Sequence, residues 1–157
     1  MANVNNTPNQ ADTTPPIEAL EAAMARQNIT LQKIELPQET TEPVEILVAN
    51  IDGFIVNFVI INKVVLVVRV QIDTDRPSDS PDPSYYLDCV PINGGPTGLS
   101  ACIVNNEQQK QCFRLEHELL MATNWYDDQL YTILGLVLST ATAIKDKVLA
   151  GSTETES

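Results

Sequence analysis

The hydrophobic and polar positions of this chain form their clearest pattern between Val44 and Ile72, where β-branched and other apolar residues dominate. The main interruptions are Asp52-Gly53 and Asn62-Lys63. Asp-Gly between two apolar runs favours a type I′ hairpin turn, because both central residues of that turn take positive φ. The pattern therefore predicts a meander of three consecutive antiparallel strands joined by short turns.

Side chains alternate between the two faces of a strand, so the pairing assigns each residue a side. If both turns are two-residue loops, Ile51 pairs with Phe54 and Ile61 pairs with Val64. Both faces then collect mostly apolar side chains, whereas a sheet with one wet face alternates apolar and polar residues. A loop longer by one residue would exchange the partners, but both faces would stay apolar. We therefore expect both faces of the sheet to be covered.

The rest of the chain predicts helices and a second group of strands. A period of three to four residues indicates a helix near each end of the chain. Runs of strands flanked by helices indicate an α+β fold with an antiparallel sheet, here the meander plus a hairpin. The expected elements are a helix over 17–28, an edge strand over 29–34, a short helix over 85–92, strands over 99–104 and 111–121, and a helix from Asn124 that Gly151 ends.

The chain has 157 residues, which suits one domain of common size. Residues 1–14 are low in complexity and polar, and they predict a disordered leader. Residues 15–150 are expected to form a single α+β domain. Residues 151–157 are expected to be a disordered acidic tail.

Charge and cysteine content restrict the partners and the compartment. The formal net charge is −12, which disfavours nucleic acid and anionic membranes and favours a basic partner or simply solubility. Neither a signal peptide nor an apolar run of membrane-spanning length is evident in the sequence. The odd count of three cysteines suits a reducing compartment, so we expect a cytoplasmic protein.

Few residues suggest chemistry. His117 is the single histidine, and serine or cysteine nucleophiles therefore have few candidate bases. Cys102 and Cys112 lie symmetrically about residue 107 and are candidate cross-strand neighbours in the last hairpin. A redox pair, or a soft metal site completed by Cys89, is the alternative to inert buried thiols. We expect no enzymatic activity, no catalytic residue, no cofactor and no metal.

Two further patterns resemble ligand sites but lack required residues. Four aspartates between Asp73 and Asp82 suggest calcium, but Pro77 and Ser78 stand where an EF-hand needs a ligand and a glycine. The glycine-rich run from Asn93 to Gly98 has no lysine after it and no helix directly following, so it predicts a turn.

The order of these elements resembles the YbjN-like proteins, which share the fold of type III secretion chaperones. The resemblance covers roughly residues 17–149. It is carried by Ile51-Asp52-Gly53-Phe54, by Leu87 to Asn93, by the strand from Gln111 to Met121 and by the long helix after Trp125. Pro91 and the glycine-rich turn depart from the family pattern. The resemblance implies a small acidic α+β protein that is often dimeric and has no known catalytic residue. In the secretion chaperones that share this fold, the sheet and helices form a dimer that binds an extended segment of a partner.

The two apolar faces predict a homodimer. The final helix covers one face, and the helix over 17–28 spans only about 18 Å at roughly 1.5 Å per residue, too little for a second face. Large exposed apolar patches are rare on monomers, and a two-fold interface covers one with itself. We expect Val59, Leu66 and Val68 at its centre. The predicted function is a non-enzymatic chaperone-like or regulatory homodimer that binds a protein or peptide. The alternative is a small-ligand or metal sensor that uses Cys89, Cys102, Cys112 and His117.

Overall fold

The computed structural model describes residues 16–37, 43–121 and 127–154. Within these ranges the chain forms one antiparallel six-stranded sheet, with the strand order β1-β2-β3-β4-β6-β5, and three helices. The predicted α+β fold, with its meander, hairpin and flanking helices, is confirmed. The elements are α1 (Pro16–Ala25), β1 (Gln32–Ile34), β2 (Val44–Ile51), β3 (Phe54–Ile61), β4 (Val65–Pro77), α2 (Pro83–Asn93), β5 (Ser100–Asn105), β6 (Lys110–Leu120) and α3 (Asp127–Glu154).

The first hairpin has the predicted geometry. Asp52 and Gly53 form a two-residue loop with φ of 53° and 83°, and Ile51 pairs with Phe54. Both central residues therefore have the positive φ that a type I′ turn needs. The local Asp-Gly signal was sufficient to fix the register of β2 against β3.

The second hairpin differs from the prediction. Its loop contains Asn62, Lys63 and Val64, and Ile61 pairs with Val65 rather than with Val64. A shift of one residue moves every side chain of a strand to the other face. The observed register places Arg69 and Gln71 away from the helices. It buries on the helix side the residues Leu66, Val68, Val70 and Ile72.

The hydrophobic core lies between the sheet and a single layer of helices. The buried residues of α1, α2 and α3 belong to one cluster together with one face of the sheet. The stripe of α3 faces this core, as predicted, through Leu130, Ile133, Leu134, Val137, Ala141 and Ile144. None of the helices in the described part of the chain is long and apolar enough to cross a membrane.

Several element boundaries differ from the sequence prediction. α1 ends at Ala25, before Asn28, whose φ of 60° is left-handed. α2 is longer than predicted and contains Pro91 in its last turn, and α3 continues through Gly151 to Glu154. Outside the described residues lie the predicted leader (1–14), the last three residues of the tail, the predicted helix start at Asn124, and Trp125.

Candidate functional site: the open face of the sheet

The sheet face opposite the helical layer is the candidate site, and we call it the open face. It is formed by side chains that the strand registers place on the side away from the core cluster. Its apolar part consists of Ile34, Val44, Ile46, Val48, Ile55, Val59, Ile61, Val65, Val67 and Leu120. This surface spans five neighbouring strands, from β1 through β4 to β6.

The apolar part is shielded at its centre and exposed at its ends. Val59 on β3 and Val67 on β4 are paired with each other and are almost fully buried, although neither belongs to the core cluster. Ile55 and Leu120 are 52% and 54% exposed. The periphery therefore offers large apolar side chains to a partner while the centre is already packed.

The remainder of the open face is polar and nearly balanced in charge. Arg69 on β4 and Glu116 on β6 are Cα partners, and the Nε of Arg69 donates to Oε1 of Glu116 at 2.7 Å. Arg114 and Glu118 on β6 and Asp73 on β4 also project on this side. The charged side chains named here are two cationic and three anionic, whereas the whole chain has a net charge of −12.

The predicted interface centre is divided between the two faces. Val59 lies on the open face, but Leu66 and Val68 are fully buried in the core cluster under the helices. Their placement with Val59 was wrong because it relied on a two-residue loop after Ile61. Val65 and Val67 lie on the open face instead of Leu66 and Val68, because the loop after Ile61 has three residues. The sequence prediction missed these two residues.

Cys102 and Cys112 lie on the open face but are not opposite each other. Cys102 pairs with Arg114, and Cys112 pairs with Val104, so the two thiols are diagonal neighbours across β5 and β6. The thiol of Cys112 donates to Oδ1 of Asp73 at 3.1 Å. Burial, together with this carboxylate, raises the pKa of Cys112 to about 11. Cys102 is exposed, and all three cysteines of the chain are unpaired.

The remaining residues of the predicted sensor lie elsewhere. Cys89 is buried in the core cluster through α2, and this burial raises the pKa of its thiol. His117 lies on the helix side of β6, opposite Val68, where its Nε2 is 2.9 Å from the carbonyl oxygen of Thr97. Its Nδ1 is 3.1 Å from the carbonyl oxygen of Glu118. The structure therefore separates these candidates, and the described residues contain no group of three or more metal-ligating side chains.

The two motifs that resembled ligand sites have structural roles. Asp73 and Asp75 belong to β4, which extends further than predicted, and Asp82 caps α2. The glycine-rich turn connects α2 to β5, and Gly98 has a φ of 75°. The positive φ favours glycine at this position, and a Cβ there would also make a tight contact, 3.3 Å, with Nε2 of His117.

Comparison with known proteins identifies the fold. No protein-family model matches the chain, and no curated protein matches it in sequence. Among solved structures, the chain is similar to YbjN from E. coli, described as a proposed transcription regulator, with a TM-score of 0.60. The sequence identity is 12%, and the match covers 87% of this chain and 92% of that chain. A fold by itself does not fix a function. The protein has a YbjN-like fold, as the order of its elements in the sequence suggested.

Proposed function

We propose that this protein is a non-enzymatic binding protein with a regulatory or chaperone-like role, and that two copies associate through the open face. The observation that supports the proposal is the apolar part of that face, which lies outside the core cluster. Contiguous apolar patches of more than a few hundred Å² are uncommon on monomers. A second copy presents the same surface at the same concentration, and a two-fold interface then covers both.

The charge distribution supports a second copy as the occupant of the open face. The chain has a net charge of −12, so two copies repel each other over most orientations. The polar part of the open face is nearly balanced, because Arg69 and Arg114 stand among its acidic side chains. Two copies can therefore meet here with less repulsion than elsewhere. A basic partner would instead be attracted to the acidic surfaces outside this face.

The sheet edges also favour association through the face. At one edge β1 has only three residues. At the other edge, the amide of Asn93 donates to the carbonyl oxygen of Ala101 at 2.8 Å and accepts from its N–H at 2.7 Å. This side chain occupies backbone groups that an added strand would need, and short or blocked edges resist edge-to-edge pairing.

A regulatory role would act through proteins. The structural neighbour is described as a proposed transcription regulator. An acidic chain is poorly suited to the phosphate backbone of nucleic acid, so we propose that any regulation operates through contacts with protein or peptide partners. The unpaired state of the three cysteines supports a reducing compartment such as the cytoplasm.

The environments of the candidate nucleophiles support a role without catalysis. A thiol with a pKa near 11, as at Cys112, is almost entirely protonated at neutral pH and is a poor nucleophile. Both ring nitrogens of His117 face backbone carbonyl oxygens rather than a second functional side chain. A general base needs instead to reach the group from which it takes a proton.

Size exclusion with light scattering tests the dimer. At micromolar concentration the wild-type chain should have the mass of two copies. Replacing Ile55 and Leu120 together by Asp should give the mass of one, because both side chains are exposed in the single chain and their replacement leaves the core intact. Leu87→Asp with Val90→Asp is the matched control, since it adds the same charge at side chains that are at least as exposed but lie on α2 in the helical layer. A wild-type monomer would refute the proposal, and so would a dimer that only the control variant disrupts.

A further inference from the structure

A cavity lies at the end of the sheet where β3 and β4 stop pairing. The last register partners at this end are Val56 and Val70. The next residues on both strands line the space between them, and α3 borders it from the helical side; these lining residues are Phe54, Ile55, Gln71, Ile72, Lys145 and Val148. The volume of the cavity is about 510 Å³, which is within the usual range for small-molecule sites.

The inner wall of this cavity is apolar and already packed. Phe54 and Ile72 are 8% and 4% exposed and belong to the hydrophobic core, and Val148 packs against that core. The wall is therefore supported from behind by other side chains and does not have to form when a ligand arrives. Such a wall favours a molecule with an apolar body, because both surfaces leave water when they meet.

A cation lies beside the apolar wall. The Nζ atom of Lys145 is 5.2 Å from the centre of the Phe54 ring, a distance at which the ring face attracts a cation. Among the described residues Lys145 forms no ion pair, whereas Lys147, two residues further along α3, is paired with Asp88. The ammonium of Lys145 therefore has N–H donors to offer to an anion in the cavity.

Asp73 also lines the cavity, but its carboxylate is held towards the opposite side of β4. Its Oδ1 accepts from the thiol of Cys112 at 3.1 Å. Cys112 belongs to β6, which flanks β4 on the side opposite to β3. The end of the cavity beside Lys145 therefore accepts a negative charge more readily than the end beside Asp73.

We propose that this cavity binds a small organic acid with a compact apolar body. The carboxylate would pair with Lys145, and the apolar body would contact Phe54, Ile72 and Val148. Both parts are needed, because an ion pair at an exposed lysine contributes little by itself and the apolar wall holds the acid against it. The inference goes beyond the proposed binding role and does not depend on the dimer.

Titration of the full chain with hydrocinnamate, followed by nuclear magnetic resonance of the labelled protein, tests this proposal. Hydrocinnamate carries a carboxylate on a short phenylalkyl body, and its amide has the same shape without the charge. The acid at about millimolar concentration, as suits so small a ligand, should shift the backbone signals of residues 53–55, 71–73 and 145–149. The amide should bind at least about tenfold more weakly, because it cannot form the charge-assisted hydrogen bond.

A peptide that ends in an apolar residue presents the same chemistry through its terminal carboxylate. An acetylated dipeptide ending in phenylalanine is the probe for this source of the acid. Tighter binding of the dipeptide than of hydrocinnamate would identify a peptide terminus as the ligand, and weaker binding would identify a free small molecule.

Substitutions assign the contributions to single side chains. Lys145→Gln should weaken the binding of hydrocinnamate by about tenfold and bring the acid and the amide to similar affinity. Lys147→Gln is the matched control, because it removes the same charge from the same helix at a residue that is paired with Asp88. It should leave binding unchanged. Val148→Phe should weaken the binding of acid and amide alike, because the larger side chain occupies the cavity, and circular dichroism melts should confirm that each variant is folded.

Four results would overturn the inference. They are the absence of saturable shifts, shifts confined to residues outside the cavity, equal binding of the acid and the amide, and equal losses in Lys145→Gln and Lys147→Gln. The last result would reduce the role of Lys145 to a general effect of net charge. A monomeric wild-type protein that still binds hydrocinnamate through Lys145 would refute the open-face dimer and leave this inference standing.

Discussion

At the scale of single residues, Asp82 determines how α2 begins. Its carboxylate accepts hydrogen bonds from the N–H and the hydroxyl of Ser84, at 2.9 and 2.7 Å. Asp82→Ala should lower the free energy of unfolding by about 1 kcal/mol, the usual loss when an N-cap is removed. Asp82→Asn should cost less, because asparagine caps helices about as well as aspartate. Urea unfolding at neutral pH compares the three proteins.

The same residue predicts a pH dependence. The bonds from Ser84 stabilise the charged form and hold the pKa of Asp82 below its ordinary value. A folded-state pKa below the unfolded one contributes stability above the unfolded pKa, and this contribution is lost as the pH falls through the folded pKa. The difference between wild type and Asp82→Ala should therefore shrink on acidification. A difference that grows at low pH would contradict this assignment.

The three cysteines should differ in reactivity. Cys102 is exposed, whereas Cys89 and Cys112 are buried and have raised pKa values. With a pKa of about 11, Cys112 is ionised in roughly one molecule in a thousand at a pH of about 8, and only the thiolate reacts. Brief treatment with iodoacetamide should therefore modify one site per chain, as counted by mass spectrometry. Cys102→Ser should abolish this modification, and denaturant should expose all cysteines. Rapid modification of Cys112 in the folded protein would contradict the prediction.

At the scale of elements, the register of β3 against β4 is open to a direct test. Leu66 is fully buried under the helices, while Val64 lies in the three-residue loop and is 37% exposed. Leu66→Ala should lower the free energy of unfolding by about 2–5 kcal/mol, the usual range for a large-to-small core change. Val64→Ala should cost less than about 1 kcal/mol, as surface substitutions usually do. Equal effects of the two changes on the urea midpoint would show that the register is wrong.

At the scale of the whole molecule, net charge should govern the strength of the proposed dimer. Each chain has a net charge of −12, so association brings two anionic molecules together. Salt screens this repulsion over distances beyond about 8 Å at physiological ionic strength. The dimer should therefore become tighter as sodium chloride is raised, which sedimentation equilibrium can measure. A dimer that weakens with salt would mean that ion pairs between copies hold it, contrary to an apolar interface.

The sequence by itself determined the elements whose signals are local. The run of β-branched and other apolar residues and the Asp52-Gly53 turn were enough to predict the meander and the register of its first hairpin. The spacing of Leu130, Leu134, Val137 and Ala141 was enough to predict which side of α3 faces the core. These predictions succeeded because the relevant interactions join residues that are close along the chain, or depend only on the period of one element.

Only the tertiary structure shows which residues belong to the candidate site. Both faces of β4 looked apolar, so the local pattern could not choose between a two-residue and a three-residue loop after Ile61. The choice depended on packing with distant helices, which favours Leu66 and Val68 inside and leaves Arg69 opposite Glu116 on the other side. For this reason the three residues predicted together for the interface lie on two faces, with Val59 on the open face and Leu66 and Val68 in the core.

Two other features of the fold also depend on interactions between residues far apart in the sequence. The sequence did not indicate that β6 would pair with β4, or that α1 and α2 would join α3 in a single layer. Both arrangements depend on which apolar surfaces can be buried together, and this is a property of the assembled sheet rather than of any segment. The open face follows from this layering, because all three helices of the described ranges pack on one side of the sheet.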